Sequence, residues 1–168
     1  MRSTLLFVAL IAAAATATGQ EPQQAIVLCL KNYRAALMAG DTGKAVALTA
    51  TFPRLSSEQV RQVTQAYTDK AKAGNLKIWI YPSSVSVSGD CAVVVIGDDE
   101  EPTLNDPDPA YLLRQNGEWK VLLKLTNWKQ DFIELNDDQK RAFTQLEATY
   151  KETRKRLRGN PASKSVAQ

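Results

Sequence analysis

The amino-acid sequence predicts an α+β fold, in which helices come first and an antiparallel sheet follows. Apolar residues recur at helical spacing in the first part of the chain, and from Leu76 onward their period changes to two. Two short turn signals, Gly89–Asp90 and Asn116–Gly117, then separate runs of strand-forming residues and predict two hairpins. A last helical pattern follows, so we expect N-terminal helices packed on a sheet, with a long added C-terminal helix.

The start of the chain has the pattern of a secretory signal peptide. Arg2 gives a short basic start, Leu5 to Ala15 is an apolar run too short to cross a bilayer, and small residues follow. We therefore expect residues 1–19 to be removed and the mature protein to begin near Gln20, in the periplasm or secreted. No later stretch reaches the roughly 18 apolar residues of a membrane span, so the mature chain is expected to have no transmembrane segment.

Three helices are predicted before the sheet. The first runs from Pro22 to Met38 and stops before Gly40, and its apolar stripe is Ile26, Cys29, Leu30, Tyr33, Leu37 and Met38. The second begins after a cap at Asp41 or Thr42 and extends through Ala50. The third begins after Ser56 or Ser57 and ends at Gly74, with Val60, Val63, Ala66 and Tyr67 as its inward positions.

The strands are predicted from alternation. They are Lys77–Tyr81, Ser84–Ser88, Cys91–Ile96, Ala110–Gln115 and Glu118–Leu125, and residues 97–108 form a loop between the hairpins. Pairing across Gly89–Asp90 places Ser88 opposite Cys91 and Val87 opposite Ala92. The sheet and the preceding helices make up one domain over residues 20–134.

The C-terminal helix is expected over residues 135–158, with a disordered tail over 159–168. Asn136 is its candidate N-cap, and acidic residues at its start and basic residues at its end suit the helix dipole. Its narrow apolar stripe consists of Phe143, Leu146, Tyr150 and Leu157. This stripe has to pack either on the protein's own sheet or on a second copy.

The composition excludes several classes of function. The formal net charge is +3 and the chain has no histidine. A nearly balanced charge gives no general attraction to nucleic acid, and the absence of histidine removes Ser-His and Cys-His nucleophiles and most zinc chemistry. Any catalysis would have to use Asp, Glu, Tyr, Lys or Cys, and we expect no cofactor.

The two cysteines and the acidic segment each allow two interpretations. In an exported protein, Cys29 and Cys91 favour a disulfide, but two buried free thiols are the alternative. The sulfur atoms cannot meet if the face with Ser88 and Cys91 points away from the first helix. The acidic residues Asp98, Asp99, Glu100, Glu101, Asp106 and Asp108 could hold calcium, but their spacing matches no calcium loop, so we predict a solvated loop and no metal.

Three segments resemble the nuclear-transport-factor-like (cystatin-like) superfamily. They are YRAALMAGDTGKAVALT from Tyr33, VSVSGDCAVVVI from Val85 and YLLRQNGEWKVL from Tyr111, and the similarity covers Ala25 to Leu125. They are most similar to exported bacterial lumazine-binding-like domains of unknown function. The resemblance implies a cone-shaped sheet that curves around the first helix and leaves a pocket. Some members are isomerases, cyclases or dehydratases, many others only bind, and dimerisation through the exposed sheet face is common.

Two kinds of site follow as hypotheses. An apolar ligand pocket would be lined by aromatic residues, namely Tyr33, Trp79, Tyr81, Tyr111 and Trp119. Catalysis would need an acidic residue and a tyrosine in the cone, and the candidates are Asp108, Tyr33 and Tyr111. We expect a non-enzymatic protein that binds a small apolar ligand or an envelope partner, and a homodimer is one of the partner hypotheses. A lyase or isomerase, and an assembly module acting through the C-terminal helix, are the alternatives.

Overall fold

A computed structural model describes residues 9–98, 107–123 and 134–159, and the side chains of residues 21–157 within those ranges. The helices are α1 (Ala9–Ala39), α2 (Thr42–Ala47), α3 (Ser57–Lys72) and α4 (Asp137–Gly159). The strands are β1 (Trp79–Ile80), β2 (Ser86–Ser88), β3 (Cys91–Gly97), β4 (Asp108–Gln115) and β5 (Glu118–Val121). Residues 1–8, 99–106, 124–133 and 160–168 lie outside the described residues. These ranges include most of the acidic segment and nearly all of the predicted tail.

The predicted caps start three of the helices. The Asp41 carboxylate accepts the Lys44 N–H at 2.9 Å at the start of α2. Ser56 and Gln59 form a reciprocal capping box at α3. Asn136 does the same with Gln139 at α4, at 2.9 and 3.0 Å.

Helix α2 ends at Ala47, three residues before the predicted end at Ala50. The backbone after it pairs with β5 instead. Val121 donates to the Leu48 carbonyl at 2.8 Å, and Ala50 donates to the Val121 carbonyl at 2.8 Å. These bonds to β5 take the place of further helical bonds, so the short helix stops early.

Helix α1 is longer than predicted, because it begins at Ala9 and holds Pro22 in its interior. In the full chain it therefore runs through the predicted cleavage point near Gln20. Met38 was expected on its apolar stripe but is 51% exposed, and Ala36 is buried in the core. Ala36, together with Leu37, thus continues the helical spacing of the stripe, and Met38 lies outside it.

The inward face of α3 is more polar than its apolar residues suggested. Its buried residues are Val60, Thr64, Thr68 and Ala71, whereas the predicted inward residue Ala66 is exposed. The Thr68 hydroxyl donates to the Thr64 carbonyl at 2.9 Å. A threonine bonded to its own helix in this way can be buried at low cost, which is why apolar periodicity alone misplaced the face.

The sheet is antiparallel, with the order β1-β3-β4-β5, and β2 also pairs with β3. The predicted register is confirmed, with Ser88 opposite Cys91 and Val87 opposite Ala92. Asn116 and Gly117 close the second hairpin with φ values of 52° and 82°, as a type I′ turn requires.

The first two strands are shorter than predicted because a 3₁₀ turn at Pro82–Ser84 separates them. Ser84 is buried, and its hydroxyl replaces a strand neighbour. It donates to the Tyr81 carbonyl at 2.6 Å and accepts the Val95 N–H at 2.9 Å. This side chain keeps β3 hydrogen-bonded where the edge strand breaks.

Helices cover both faces of the curved sheet. The inner face carries Ala92, Val94 and Leu112 and packs against the layer that contains α1. The other face carries Cys91, Val93 and Leu113 and is covered by α4. The fold is therefore α+β, with N-terminal helices inside the sheet and the C-terminal helix outside it.

The apolar stripe of α4 packs on the protein's own sheet. The rings of Phe143 and Tyr111 meet edge to face, with centroids 5.7 Å apart and planes at 88°. Leu146 and Tyr150 are buried beside them, and Leu157 is partly buried. This packing uses the surface that an assembly module acting through α4 would need. No helix in the described ranges is long and apolar enough to span a bilayer.

Candidate functional site

A cavity of about 190 Å³ lies between the helices and the inner face of the sheet. Helices α1 and α3 contribute one side of its wall, and the segment before β1 together with the ends of β3, β4 and β5 contribute the other. Its lining is mostly apolar, and includes Leu37, Leu76, Ile78, Ile96, Ala110 and Val121.

Strand alternation explains why these residues share the cavity. Val121 is paired with Leu112, so both project from the inner face, and Ala110 follows on the same face two residues away. Val94 pairs with Ala110, and Ile96 continues that face along β3. Because Ala110 is small, the wall recedes at this point and leaves space that the neighbouring side chains do not fill.

Two tyrosines supply polar atoms to this apolar wall. Tyr33 on α1 is only 7% exposed, and Tyr67 on α3 is half-buried. Burial, and to a smaller extent the nearby Tyr67, raises the pKa of Tyr33 above its ordinary value of 10.0. The Tyr33 phenol therefore stays protonated at neutral pH and can donate a hydrogen bond.

Among the described residues, the charged side chains that line the cavity lie at its exposed margin. Lys77 precedes β1, Asp98 follows β3, and Asp108 begins β4. All three are solvent-exposed. The cavity thus has an apolar interior with phenol groups, and a margin with two carboxylates and one ammonium.

Of the predicted catalytic candidates, two lie at this cavity and one does not. Tyr33 and Asp108 both line it. Tyr111 projects from the opposite face of the sheet, where its ring contacts Phe143. Burial there, with a smaller contribution from Glu147, raises the pKa of Tyr111 to about 12. A three-residue group of Asp108, Tyr33 and Tyr111 is therefore not assembled.

Tyr33 alone among the five predicted pocket aromatics lines the cavity. Trp79 lies at the sheet margin, with the Arg34 guanidinium carbon 6.0 Å from its ring centroid. Trp119 lies toward the Asn116–Gly117 hairpin, where its carbonyl accepts the Cys29 thiol at 3.1 Å.

Tyr81 lies on the far side of Gly97 from the cavity. Its hydroxyl is so close to Gly97 that a Cβ built there would be 2.8 Å from it. A side chain at position 97 would therefore require the Tyr81 hydroxyl to shift. The aromatic residues of the strands mostly serve the core and the sheet margin.

Most cavity residues were not site candidates in the sequence, among them Leu76, Ile78 and Tyr67. Ile78 was expected only within the strand Lys77–Tyr81, and Leu76 only as the point where the apolar period changes to two. Tyr67 was expected on the inward side of α3, but not at a ligand site. One sequence signal could have indicated Tyr67 as a cavity residue. Tyr33 and Tyr67 were both predicted on the inward faces of helices that precede the sheet.

The two cysteines are buried free thiols on opposite faces of the sheet. Cys29 lies on α1 at the inner face, and Cys91 lies on β3 at the face covered by α4. Of the two predicted alternatives, this arrangement matches the pair of free thiols. Burial raises the pKa of each thiol to about 11.

A cation site is not formed by the described side chains. Within residues 21–98, 107–123 and 134–157, no three potential ligands cluster together. Asp98 and Asp108 flank the acidic segment, and its remaining acidic residues lie outside the described ranges.

Comparison with known proteins gives one structural likeness. No family model and no curated protein matches the chain. The chain is similar to the crystal structure of a "putative NTF2-like transpeptidase" from Campylobacter jejuni, with 22% identity and a TM-score of 0.42, over 56% of this chain and 94% of that one.

The fold is defined by the helices and the sheet of this chain. Those elements include a helix against the inner face of the sheet, antiparallel hairpins in the predicted register, and a cavity between helix and sheet. The chain thus has the α+β architecture that its resemblance to the nuclear-transport-factor-like superfamily implies.

Proposed function

We propose that this protein binds a small, largely apolar molecule in the cavity between α1, α3 and the sheet. The observation that carries the proposal is an unfilled space of about 190 Å³ inside an apolar wall. Natural protein interiors are close-packed, so a space of this size in a small domain is unusual. Its polar groups are few and lie at defined positions, which is typical of a ligand site.

The volume sets the size of the ligand. An apolar cavity of roughly 150 Å³ stays dry and accepts benzene. The present cavity is somewhat larger, so it suits a compound with one ring and a short substituent. We therefore use α-methylstyrene as the apolar probe.

Binding is tested by thermal unfolding with and without the probe. At a probe concentration ten times Kd, the free energy of unfolding should rise by about 1.4 kcal/mol, which corresponds to roughly 3–5 °C in Tm for a protein of this size. Leu76→Trp should abolish this rise, because an indole at the partly buried position 76 fills the cavity.

Leu28→Trp is the matched control. Leu28 is 58% exposed on α1 and does not line the cavity, so this variant should bind the probe as the parent does. If α-methylstyrene fails to stabilise the parent protein, or stabilises Leu76→Trp equally, binding in this cavity is wrong.

A lyase or isomerase is the second candidate, because Asp108 and Tyr33 line the same cavity. A carboxylate could remove a proton next to a carbonyl while the phenol stabilises the enolate. The test is deuterium incorporation at the methyl group of acetophenone in D₂O. The binding proposal expects no protein-dependent exchange. Exchange that is lost in Asp108→Asn would instead support the enzyme.

We propose that the protein works after export, in the periplasm or outside the cell. The support is the sequence pattern of residues 1–19, with a basic start, an apolar run and small residues. Mass spectrometry of the protein from its own host should give a chain that begins near Gln20. An intact N-terminus would contradict export by cleavage. An envelope partner and a homodimer stay predictions.

A further inference from the structure

We infer that the ligand is a neutral molecule with a hydrogen-bond acceptor such as a carbonyl oxygen, held by the Tyr33 hydroxyl with Tyr67 beside it. This inference rests on the proposed function and specifies the chemical class of ligand for the same site. The two residues are called the phenol pair below.

The first argument is an unmet hydrogen bond. Tyr33 is more than nine-tenths buried and lines the cavity. Within the described part of the chain, its hydroxyl makes no hydrogen bond to another residue. By contrast, the buried Tyr150 hydroxyl donates to the Pro107 carbonyl. The hydroxyl oxygen is not among the fully enclosed side-chain atoms that lack a partner, so it is accessible from the cavity. A ligand in the cavity can therefore accept its hydrogen bond.

The second argument concerns which partner fits. A phenol that remains protonated offers a donor, so its complement is an acceptor. A carbonyl group on a small apolar body supplies the acceptor at modest desolvation cost, because it carries no charge.

The third argument concerns the ligand's charge. Among the described residues, the charged margin of the cavity has two carboxylates, Asp98 and Asp108, and one ammonium, Lys77. An anionic ligand would approach two carboxylates and would also lose its hydration in the apolar interior. Both effects disfavour carboxylate ligands relative to neutral carbonyl compounds.

The test compares three probes by NMR titration of the full mature protein. Acetophenone has a carbonyl, α-methylstyrene has nearly the same shape without an acceptor, and benzoate is anionic. We expect acetophenone to bind roughly three- to tenfold more tightly than α-methylstyrene, and benzoate to bind at least about tenfold more weakly than acetophenone.

Tyrosine-to-phenylalanine variants test whether the hydroxyls of the phenol pair, and not a general change in the protein, determine the affinity for acetophenone. Tyr33→Phe should weaken acetophenone binding roughly three- to tenfold, leave α-methylstyrene binding unchanged and leave the Tm of the free protein undiminished. Tyr150→Phe is the matched control. It should lower Tm, because it loses the bond to Pro107, but it should leave both affinities unchanged. Tyr33→Phe/Tyr67→Phe tests whether the second phenol substitutes for the first.

The outcomes distinguish this inference from the proposed function. If neither neutral probe binds, the proposed function fails and the inference fails with it. If α-methylstyrene binds as tightly as acetophenone, or the double variant keeps the acetophenone affinity of the parent, the apolar site stands and the phenol inference is overturned. Preferred binding of benzoate would also overturn it.

Discussion

At the scale of single residues, Ser84 shows how one side chain can replace a backbone neighbour. The hydroxyl joins the Tyr81 carbonyl to the Val95 N–H where the edge strand is broken. The sequence marked Pro82 as the break, but nothing in the local pattern indicated that Ser84 would be buried there. The sequence pattern placed Ser84 at the start of the strand Ser84–Ser88 instead.

Ser84→Ala should lower the free energy of unfolding by about 1–3 kcal/mol, because it leaves a buried N–H without its partner. Ser83→Ala is the control on the exposed side of the same turn and should change stability by less than about 0.5 kcal/mol. Urea denaturation measures both. Equal effects of the two variants would contradict the role given to Ser84.

The thiols make stability depend on pH. Burial raises the pKa of Cys29 and of Cys91 from 9.0 to about 11, so the folded protein keeps protons that the unfolded chain releases. The contribution of the two protonated thiols to the free energy of unfolding is complete below pH 9. It is lost as pH rises from about 9 toward 11.

We therefore expect the urea midpoint, measured under reducing conditions, to fall as pH rises above 9. The double variant Cys29→Ala/Cys91→Ala should show a shallower fall between pH 9 and 10. The buried tyrosines act in the same direction at higher pH, because burial raises the pKa of Tyr111 and of Tyr150 to about 12. A midpoint that rose in this range would contradict the assignment.

At the scale of elements, α4 closes the outer face of the sheet. Its stripe was predicted from spacing, yet spacing could not say whether the partner would be this sheet or a second copy. The T-shaped contact of Phe143 with Tyr111, and the burial of Leu146 and Tyr150, answer that question for the isolated chain. The C-terminal helix thus covers the apolar outer face of the sheet.

Two leucine-to-alanine substitutions, at different positions on α4, test this packing. Leu146 is 3% exposed, and Leu146→Ala should cost about 2–5 kcal/mol of unfolding free energy, as for other buried leucines. Leu157→Ala, in the last turn and only partly buried, should cost clearly less. Chemical denaturation gives both values. Equal small losses would mean that α4 is not held against the sheet.

At the scale of the whole molecule, the helix that the sheet encloses also runs through the predicted signal cleavage point. Helix α1 begins at Ala9, but among the residues with described side chains its buried positions begin only at Ile26. The buried positions of α1 among the described side chains therefore all lie beyond residue 20. Removal of the predicted signal segment should leave this part of the core intact.

We expect the chain from Gln20 onward to unfold cooperatively at the same Tm as the full-length protein. Thermal unfolding followed by circular dichroism compares the two. A truncated chain that unfolds at a markedly lower temperature would show that residues before Gln20 support the fold.

Much of the architecture was predictable because it depends on local rules. Side chains at Asp41, Ser56 and Asn136 cap helices through bonds only three residues away. The Asn116–Gly117 turn sets the register of its hairpin. Apolar periodicity succeeded for α4 but failed in part for α3, where Thr64 and Thr68 are buried and the Thr68 hydroxyl bonds to its own helix.

The candidate site was less predictable, because alternation tells which side chains share a face but not which face meets which helix. Of the predicted site residues, Tyr33 and Asp108 line the cavity, whereas Tyr111, Tyr81, Trp79 and Trp119 do not. The sequence by itself determined the caps, the hairpins and the α+β order, since each depends on residues close together in the chain. Only the tertiary structure decided the cavity, because an unfilled space arises from the sizes and directions of side chains that distant segments bring together.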